Sequence, residues 1–465
     1  MQPSDPIKKA LMIALLVGGC VRLAFLILFS SNLQADPDAY RQISENVATM
    51  GVFGQSFGDG PIQPTAFRPP LYPLILSGFV VNQNLSLTLV AGFHFLLGLG
   101  TIYFGFVFAR CVGIKPLGCA GVAILVAVDP ILLQQSSLVM TETFATFLAT
   151  ACLAYSTQIF QATFTTRHFF VLGILAGVSS LCRPTFVIWG GLLLSSIVIS
   201  AIFSNFNFTR RFSRWFFSET DRTQPPVQSH PLRQRLIQAT WFGIAILLVL
   251  SPWMLRNHLE IGKPIFATTH GGYTLYLGNN DCFYDYLKTE QTEAWNGEAE
   301  LRNVVLNIRT ESQKPDGTVD ELKKDRLYYR RSIATIQRRP TMFLYSTWVR
   351  IVRFWSVMPS NASANESKLK WAIQMGSAVW YSTLFLAAGT GLLAILFASQ
   401  KKPFRNVLFG SATMVMAFQG LHLVYWSNMR MRAPLTAIIA VLAIVGIQVL
   451  LSCVQRRRIS QASSA

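Results

Sequence analysis

Asp36 and Asp38 stand one residue apart just beyond the first long apolar run, inside the polar stretch ADPDAYRQISENVATMGVFGQSFGDGPIQPTAFRPPLYP at 35–73. Near its end Arg68 is followed by Pro69, Pro70 and Pro73, which fix φ and hold the backbone extended, so a cation is set on a stiff segment. A carboxylate can take a proton from a hydroxyl, and a guanidinium can hold a phosphate through two N–H bonds. Placed at one membrane face, the two would serve as a base and a phosphate clamp.

Composition decides the solvent that these residues meet. Of 465 residues 51% are hydrophobic and only 13% charged, and the mean hydropathy is +0.39. Soluble chains are about 25% charged, so this is a membrane protein. The net charge of +18 is spread along the loops and not gathered on a soluble domain, which argues against nucleic acid. The seven cysteines form no CxxC pair and lie in or beside apolar runs, which supports neither a zinc site nor a disulfide framework. No metal ligands are assigned.

Apolar runs read as membrane spans occur at 10–30, 85–108, 117–133, 140–160, 169–181, 186–203, 237–250, 379–398, 407–426 and 435–451, the first of them meeting the ~20 residues required to cross hydrocarbon. The first is longer than a signal-peptide core and lacks a cleavage site, so it reads as an anchor. With Lys8 and Lys9 inside, alternation puts Arg110, Lys115, Arg167, the run from Arg210 to Arg235, Lys401, Lys402, Arg405 and Arg456 to Arg458 in the cytoplasm. The expected fold is an all-α polytopic membrane protein of about ten or more spans, with both termini cytoplasmic. A helical module at 1–252 carries the first external loop, 31–84. An external segment follows at 253–372, and then the last spans with a basic tail at 373–465.

The same alternation places Asp36, Asp38, Arg68, Glu142, Arg183, Arg256, His258, His270, Asn279, Asn280, Arg430 and Arg432 at the outer face, so the chemistry is expected outside the cytoplasm. The stretch 71–81 suits a short juxtamembrane or re-entrant helix. In the long external segment, THGGYTLYLGNND reads as a shaped loop. Apolar residues at helical spacing over 319–358, with Trp348 and Trp355, suit an amphipathic helix along the outer membrane surface.

Asp36 with Tyr40, RPPLYP at Arg68 to Pro73 with its Tyr72, Met140-Thr141-Glu142, Arg183-Pro184, PWMLRN at Pro252 to Asn257, GNN at Gly278 to Asn280 and RMRAP at Arg430 to Pro434 follow in that order. This series resembles the C-type glycosyltransferases (GT-C), in the branch of the protein O-mannosyltransferases, the lipid A aminoarabinose transferase and the lipopolysaccharide-core galacturonosyltransferases. The resemblance implies the GT-C fold and a sugar donor on undecaprenyl or dolichyl phosphate. It also implies an extracytoplasmic lipid, glycan or protein acceptor, and an aspartate of the first external loop as base. Many members have Glu directly after that aspartate where this chain has Pro37, so no cofactor is assigned and a divalent metal stays an open alternative.

The residues agree with such chemistry. A sugar whose lipid tail stays in the bilayer is reachable only at the interface. Inverting attack by a hydroxyl needs one carboxylate to take the proton, and arginines to hold the departing phosphate. That calls for one acid and several cations rather than a glycosidase's paired carboxylates. Each residue also has a plainer reading. Asp36 before Pro37 suits an N-cap, Arg68 suits bonds to loop carbonyls, and Glu142 suits a helix-start charge. His270, Asn279 and Asn280 are candidates to touch sugar or phosphate and suit turn chemistry equally, Arg430 and Arg432 are candidates for phosphate or substrate contact and suit an interfacial position, and His94 and His422 suit a satisfied interior. Gly98 and Gly100 suit close helix packing, and the sequons at Asn84, Asn361 and Asn365 carry little weight. Arg22 and Asp129, each deep within a span, are expected to pair, since a lone charge there costs about 2.5–3.5 kcal/mol. A lipid-linked-sugar flippase or transporter, or an oligosaccharide polymerase or ligase, is the alternative to a glycosyltransferase.

Overall fold

The computed structural model describes residues 6–36, 38–58, 60–161, 165–203, 232–289, 295–358, 368–397 and 402–462. Pro37, most of the basic run from Arg210 to Arg235, Lys401, and the sequons at Asn361 and Asn365 lie outside the described residues.

Each apolar run is helical. The helices are Pro6–Leu28, Leu87–Cys111, the consecutive pair Pro116–Ala127 and Pro130–Ser136, Glu142–Gln161, Thr166–Cys182, Thr185–Phe203, Leu232–Ile261, Lys368–Phe397, Lys402–Leu421 and Thr436–Ala462. Among the described residues five helices are long and apolar enough to cross a membrane, or six with the pair bent by 50°. The sequence reading placed about ten spans. Part of the difference is burial: Glu142–Gln161 is enclosed by neighbouring helices along most of its length and carries buried Thr143, Thr146, Thr150, Ser156 and Thr157. A helix walled by protein can hold such residues, because their hydroxyls bond back to the preceding turn, as Thr146 does to the Glu142 carbonyl.

The bend in the third span explains two buried charges, Arg22 of the first span and Asp129 at the bend itself. Arg22 Nη2 donates to the Val126 carbonyl at 3.0 Å, at the end of Pro116–Ala127. Asp129 accepts from the Leu132 N–H at 3.0 Å, at the start of Pro130–Ser136, and from the Tyr381 hydroxyl at 2.9 Å. The two residues therefore form no direct ion pair. A helix break leaves carbonyls on one side and N–H groups on the other, so each charge finds the partial charge of a helix end. Gly98 makes the room, since a Cβ there would lie 2.9 Å from Arg22 Cδ.

The helices Lys368–Phe397 and Thr436–Ala462 touch backbone to backbone. A Cβ on Gly446 would stand 2.0 Å from the Ala387 carbonyl oxygen, and one on Gly391 1.9 Å from that of Leu442. Small residues permit such approach in membranes. Gly446→Ala should force the pair apart and destabilise the protein by about 1–3 kcal/mol. A thermal melt of the detergent-solubilised variant checks this, and an unshifted midpoint would mean the crossing is not tight.

Outside the bundle, the first loop folds as helix Tyr40–Met50, the antiparallel pair Gly54–Gln55 with Gln63–Pro64, helix Leu71–Ser77, and the pair Val80–Val81 with Asn84–Leu85. The second external segment contains Gly271–Gly278, Asp281–Tyr286, Arg302–Ser312, Glu321–Arg338 and Pro340–Phe354. One amphipathic helix over 319–358 was expected. Two form, because Pro340 lacks the N–H to continue the ladder and takes the first position of the second helix.

Candidate active site

Asp36 sets the start of Tyr40–Met50 from outside the helix. Its Oδ1 accepts from the Arg41 N–H at 3.1 Å and its Oδ2 from the Gln42 N–H at 3.0 Å. The helix begins after Ala39, which is left-handed at φ 59°, so the cap acts from further upstream than the Asp36-Pro37 reading implied. Asp38 instead faces Arg68. Nη2 of Arg68 lies 2.7 Å from Asp38 Oδ1, its Nε donates to the Asp38 carbonyl at 2.8 Å, and its guanidinium stacks on Phe67 and Tyr40.

Tyr40 and Tyr72 meet edge to face with ring centres 5.3 Å apart. His94 Nδ1 lies 2.8 Å from the Ser136 carbonyl, which can only accept. The imidazole thus carries its proton on Nδ1, and Nε2 accepts from the Tyr72 hydroxyl at 2.9 Å. Burial pushes both phenols well above their usual range; Arg68 eases Tyr40 down, while Asp38 and Glu142 add to its rise. A second cluster of charges lies elsewhere at the helix ends.

That cluster is Glu142, Arg183 and Arg430, brought together from three distant parts of the chain. Glu142 is 2% exposed, and its Oε1 lies 3.3 Å from Arg183 and 3.6 Å from Arg430. Its Oε2 accepts no hydrogen bond. The arginines also reach Met431 and Met140 sulfurs. Two guanidiniums against one carboxylate leave one positive charge at the helix ends, an arrangement suited to an anion.

Other sequence-selected residues serve the frame. Arg256 donates to the Thr65 and Phe53 carbonyls, each at 2.7 Å, and lashes the first loop to the end of Leu232–Ile261. Arg432 donates to the Phe354 and Ser356 carbonyls and stacks on Tyr381, so it lies away from Glu142. Asn279 and Asn280 are fully buried. Asn279 bonds the Leu275 and Val424 carbonyls and receives Arg350 and Tyr284, while Asn280 caps Asp281–Tyr286. His270 packs its ring 4.3 Å from Phe67, next to Arg68. Burial, with Arg68 and Lys324 nearby, holds its imidazole well below the usual range.

Sequence reasoning passed over Glu321, Lys324 and Asp325, at the start of Glu321–Arg338. Burial brings the Lys324 amine down to about 8 and the Asp325 carboxyl up to about 6. The DELKKD pattern signals a helix start but not what it touches: Lys324 stands 4.1 Å from the Phe57 ring centre, and Asp325 accepts from the Gly272 N–H at 2.7 Å. Among the described residues no group of three or more His, Cys, Asp or Glu is placed to hold a metal ion.

No curated protein matches the chain. Among solved structures, the archaeal oligosaccharyltransferase AglB from Archaeoglobus fulgidus, in complex with an inhibitory peptide and a dolichol-phosphate, is 13% identical over 97% of this chain and 52% of that one, with a TM-score of 0.49. ArnT from Cupriavidus metallidurans bound to undecaprenyl phosphate is 12% identical over 92% of this chain and 76% of that one, with a TM-score of 0.37. The chain thus spans about half the length of the archaeal enzyme. The family model described as dolichyl-phosphate-mannose-protein mannosyltransferase matches residues 53–254, a region that includes RPPLYP, Glu142 and Arg183. Within this membrane protein, residues 53–254, somewhat under half of the chain, are thus similar to that mannosyltransferase family.

Proposed function

We propose that this protein is an integral-membrane glycosyltransferase that moves a sugar from a polyprenyl-phosphate donor to an extracytoplasmic acceptor. The observation that carries the reading is the buried Glu142–Arg183–Arg430 cluster with its surplus positive charge, taken together with Asp36 and the Asp38–Arg68 pair of the first loop. In the proposed reaction an acceptor hydroxyl attacks the anomeric carbon as the bond from that carbon to the phosphate oxygen breaks. Asp36, held by two backbone N–H groups, takes the hydroxyl proton, and the polyprenyl phosphate leaves as a monoester. Arg183 and Arg430 hold its oxygens, and Asp38 aims Arg68 toward the same space. Arg256, Arg432, Asn279 and Asn280 keep the frame, and Tyr72 and His270 brace Tyr40 and Phe67, the two rings on which Arg68 stacks.

The proposal places the protein in the inner membrane of a cell envelope, with both termini in the cytoplasm and the site facing outward. Mass spectrometry of envelope glycans and prenyl-phosphate sugars, with and without the protein, is the test. Removal should abolish one sugar addition while the matching prenyl-phosphate sugar accumulates. If neither pool changes, the protein is not this enzyme.

A further inference from the structure

We infer that Glu321 is a positioning residue for Arg68, a latch from the second external segment that sets the turn on which that cation stands. Glu321 is 5% exposed and lies at the first position of Glu321–Arg338, where the helix end favours negative charge. One carboxylate oxygen accepts from the Thr65 hydroxyl. The other accepts from the Ala66 N–H at 3.2 Å and the Thr269 hydroxyl at 2.7 Å. The Thr269 N–H donates to the Ala66 carbonyl at 2.9 Å, and Thr65 Oγ1 accepts from the Phe67 N–H at 3.0 Å. A carboxylate some 250 residues away in sequence thus organises 65–67, the three residues before Arg68.

Two further ties bring the same surfaces together. The Gln63 side chain donates to the Val319 carbonyl at 2.7 Å and accepts from the Val319 N–H at 2.6 Å. Lys324, one turn beyond Glu321, lies against Phe57 and Phe67, and Phe67 is the ring on which Arg68 stacks. Every partner of Glu321 is a donor. Glutamine keeps the volume but turns one oxygen into an NH2 group, which would face the Thr65 hydroxyl on one side or the Ala66 N–H on the other. The buried N–H, or a hydroxyl already accepting from Phe67, would then lose its partner. The turn should loosen and Arg68 drift, while the transmembrane helices stay in place. A shift of about 1 Å in a positioned group can cost about 100-fold.

The inference rests on the proposed function for its consequence but not for its geometry, and two measurements keep them apart. In full-length protein in nanodiscs, hydrogen exchange of the peptide covering 63–69 should quicken in Glu321→Gln and in the milder Thr269→Val, with the 142–161 peptide unchanged. Unchanged exchange in both variants overturns the latch whatever the ligand. With undecaprenyl phosphate as probe, Glu321→Gln should bind about 10- to 100-fold more weakly than wild type. In an Arg68→Ala background it should cost nothing more, as expected when one residue acts through the other. Additive losses, or wild-type binding in Glu321→Gln, would make Glu321 a general structural residue and overturn the inference. Failure of the wild type to bind the probe would count against the polyprenyl-phosphate reading, leaving the exchange result to judge the latch.

Discussion

Asp36→Asn should lower the rate of sugar transfer by about 10²–10⁴-fold, the range that a positioned general base contributes. Asparagine matches the shape, so the loss would reflect chemistry, with one reservation that the structure makes measurable. Both Asp36 oxygens accept backbone N–H bonds, from Arg41 and Gln42. The asparagine amide must point its NH2 at one of them, so the start of Tyr40–Met50 should also weaken by about 0.5–2 kcal/mol. Transfer measured in membranes and normalised to folded protein separates the two. Asp38→Asn should be milder, because Asp38 acts through Arg68, to which it also offers a backbone carbonyl that the change leaves intact. Should Asp38→Asn be the crippling change and Asp36→Asn keep near-normal turnover, the base is Asp38. If both keep it, the loop is not catalytic. A transporter would give a third pattern, in which Asp36→Asn leaves donor stranded on the cytoplasmic side.

What the sequence revealed was what is local. An apolar run of about twenty residues forms a helix without knowing its neighbours, so the bundle could be read directly. Prolines carried more than the reading took from them: Pro340 breaks the single helix expected over 319–358, and after Arg68 the expected extended backbone gives way to the helix Leu71–Ser77, with Pro70 already helical and Pro73 in its first turn. Contacts across hundreds of residues were another matter. Arg256 reaching Thr65, Glu321 reaching the same turn and Arg430 reaching Glu142 depend on how the external segments fold back, which no spacing encodes. Arg22 and Asp129 show how a sound argument can go astray. The cost of a lone buried charge was right, but helix ends offer partial charges too, and Pro130 was the overlooked sign that one lay between them. Asn279 and Asn280 sit in a motif suggestive of sugar contact, yet their amides are consumed by the carbonyls and N–H groups around them.

Glu142→Gln should be the most damaging change to folding, and its rescue the sharpest test of what the cluster is for. Glutamine leaves Arg183, with a side chain 13% exposed, and Arg430 facing each other without their shared counterion. Breaking a buried ion pair from one side costs about 3–5 kcal/mol, and Arg430, at 32% exposed, can relieve part of that by turning toward water. A melt of the purified variant should therefore show a clear fall, and Glu142→Gln with Arg183→Met should recover much of it without restoring transfer. If the two arginines exist to receive a phosphate, the ligand supplies the missing anion. Undecaprenyl phosphate should then raise the midpoint of Glu142→Gln by more than it raises that of wild type, since a ligand stabilises in proportion to its affinity for the folded state. Equal increments would place the phosphate elsewhere, and a wild-type midpoint for Glu142→Gln would show that the cluster carries no unbalanced charge at all.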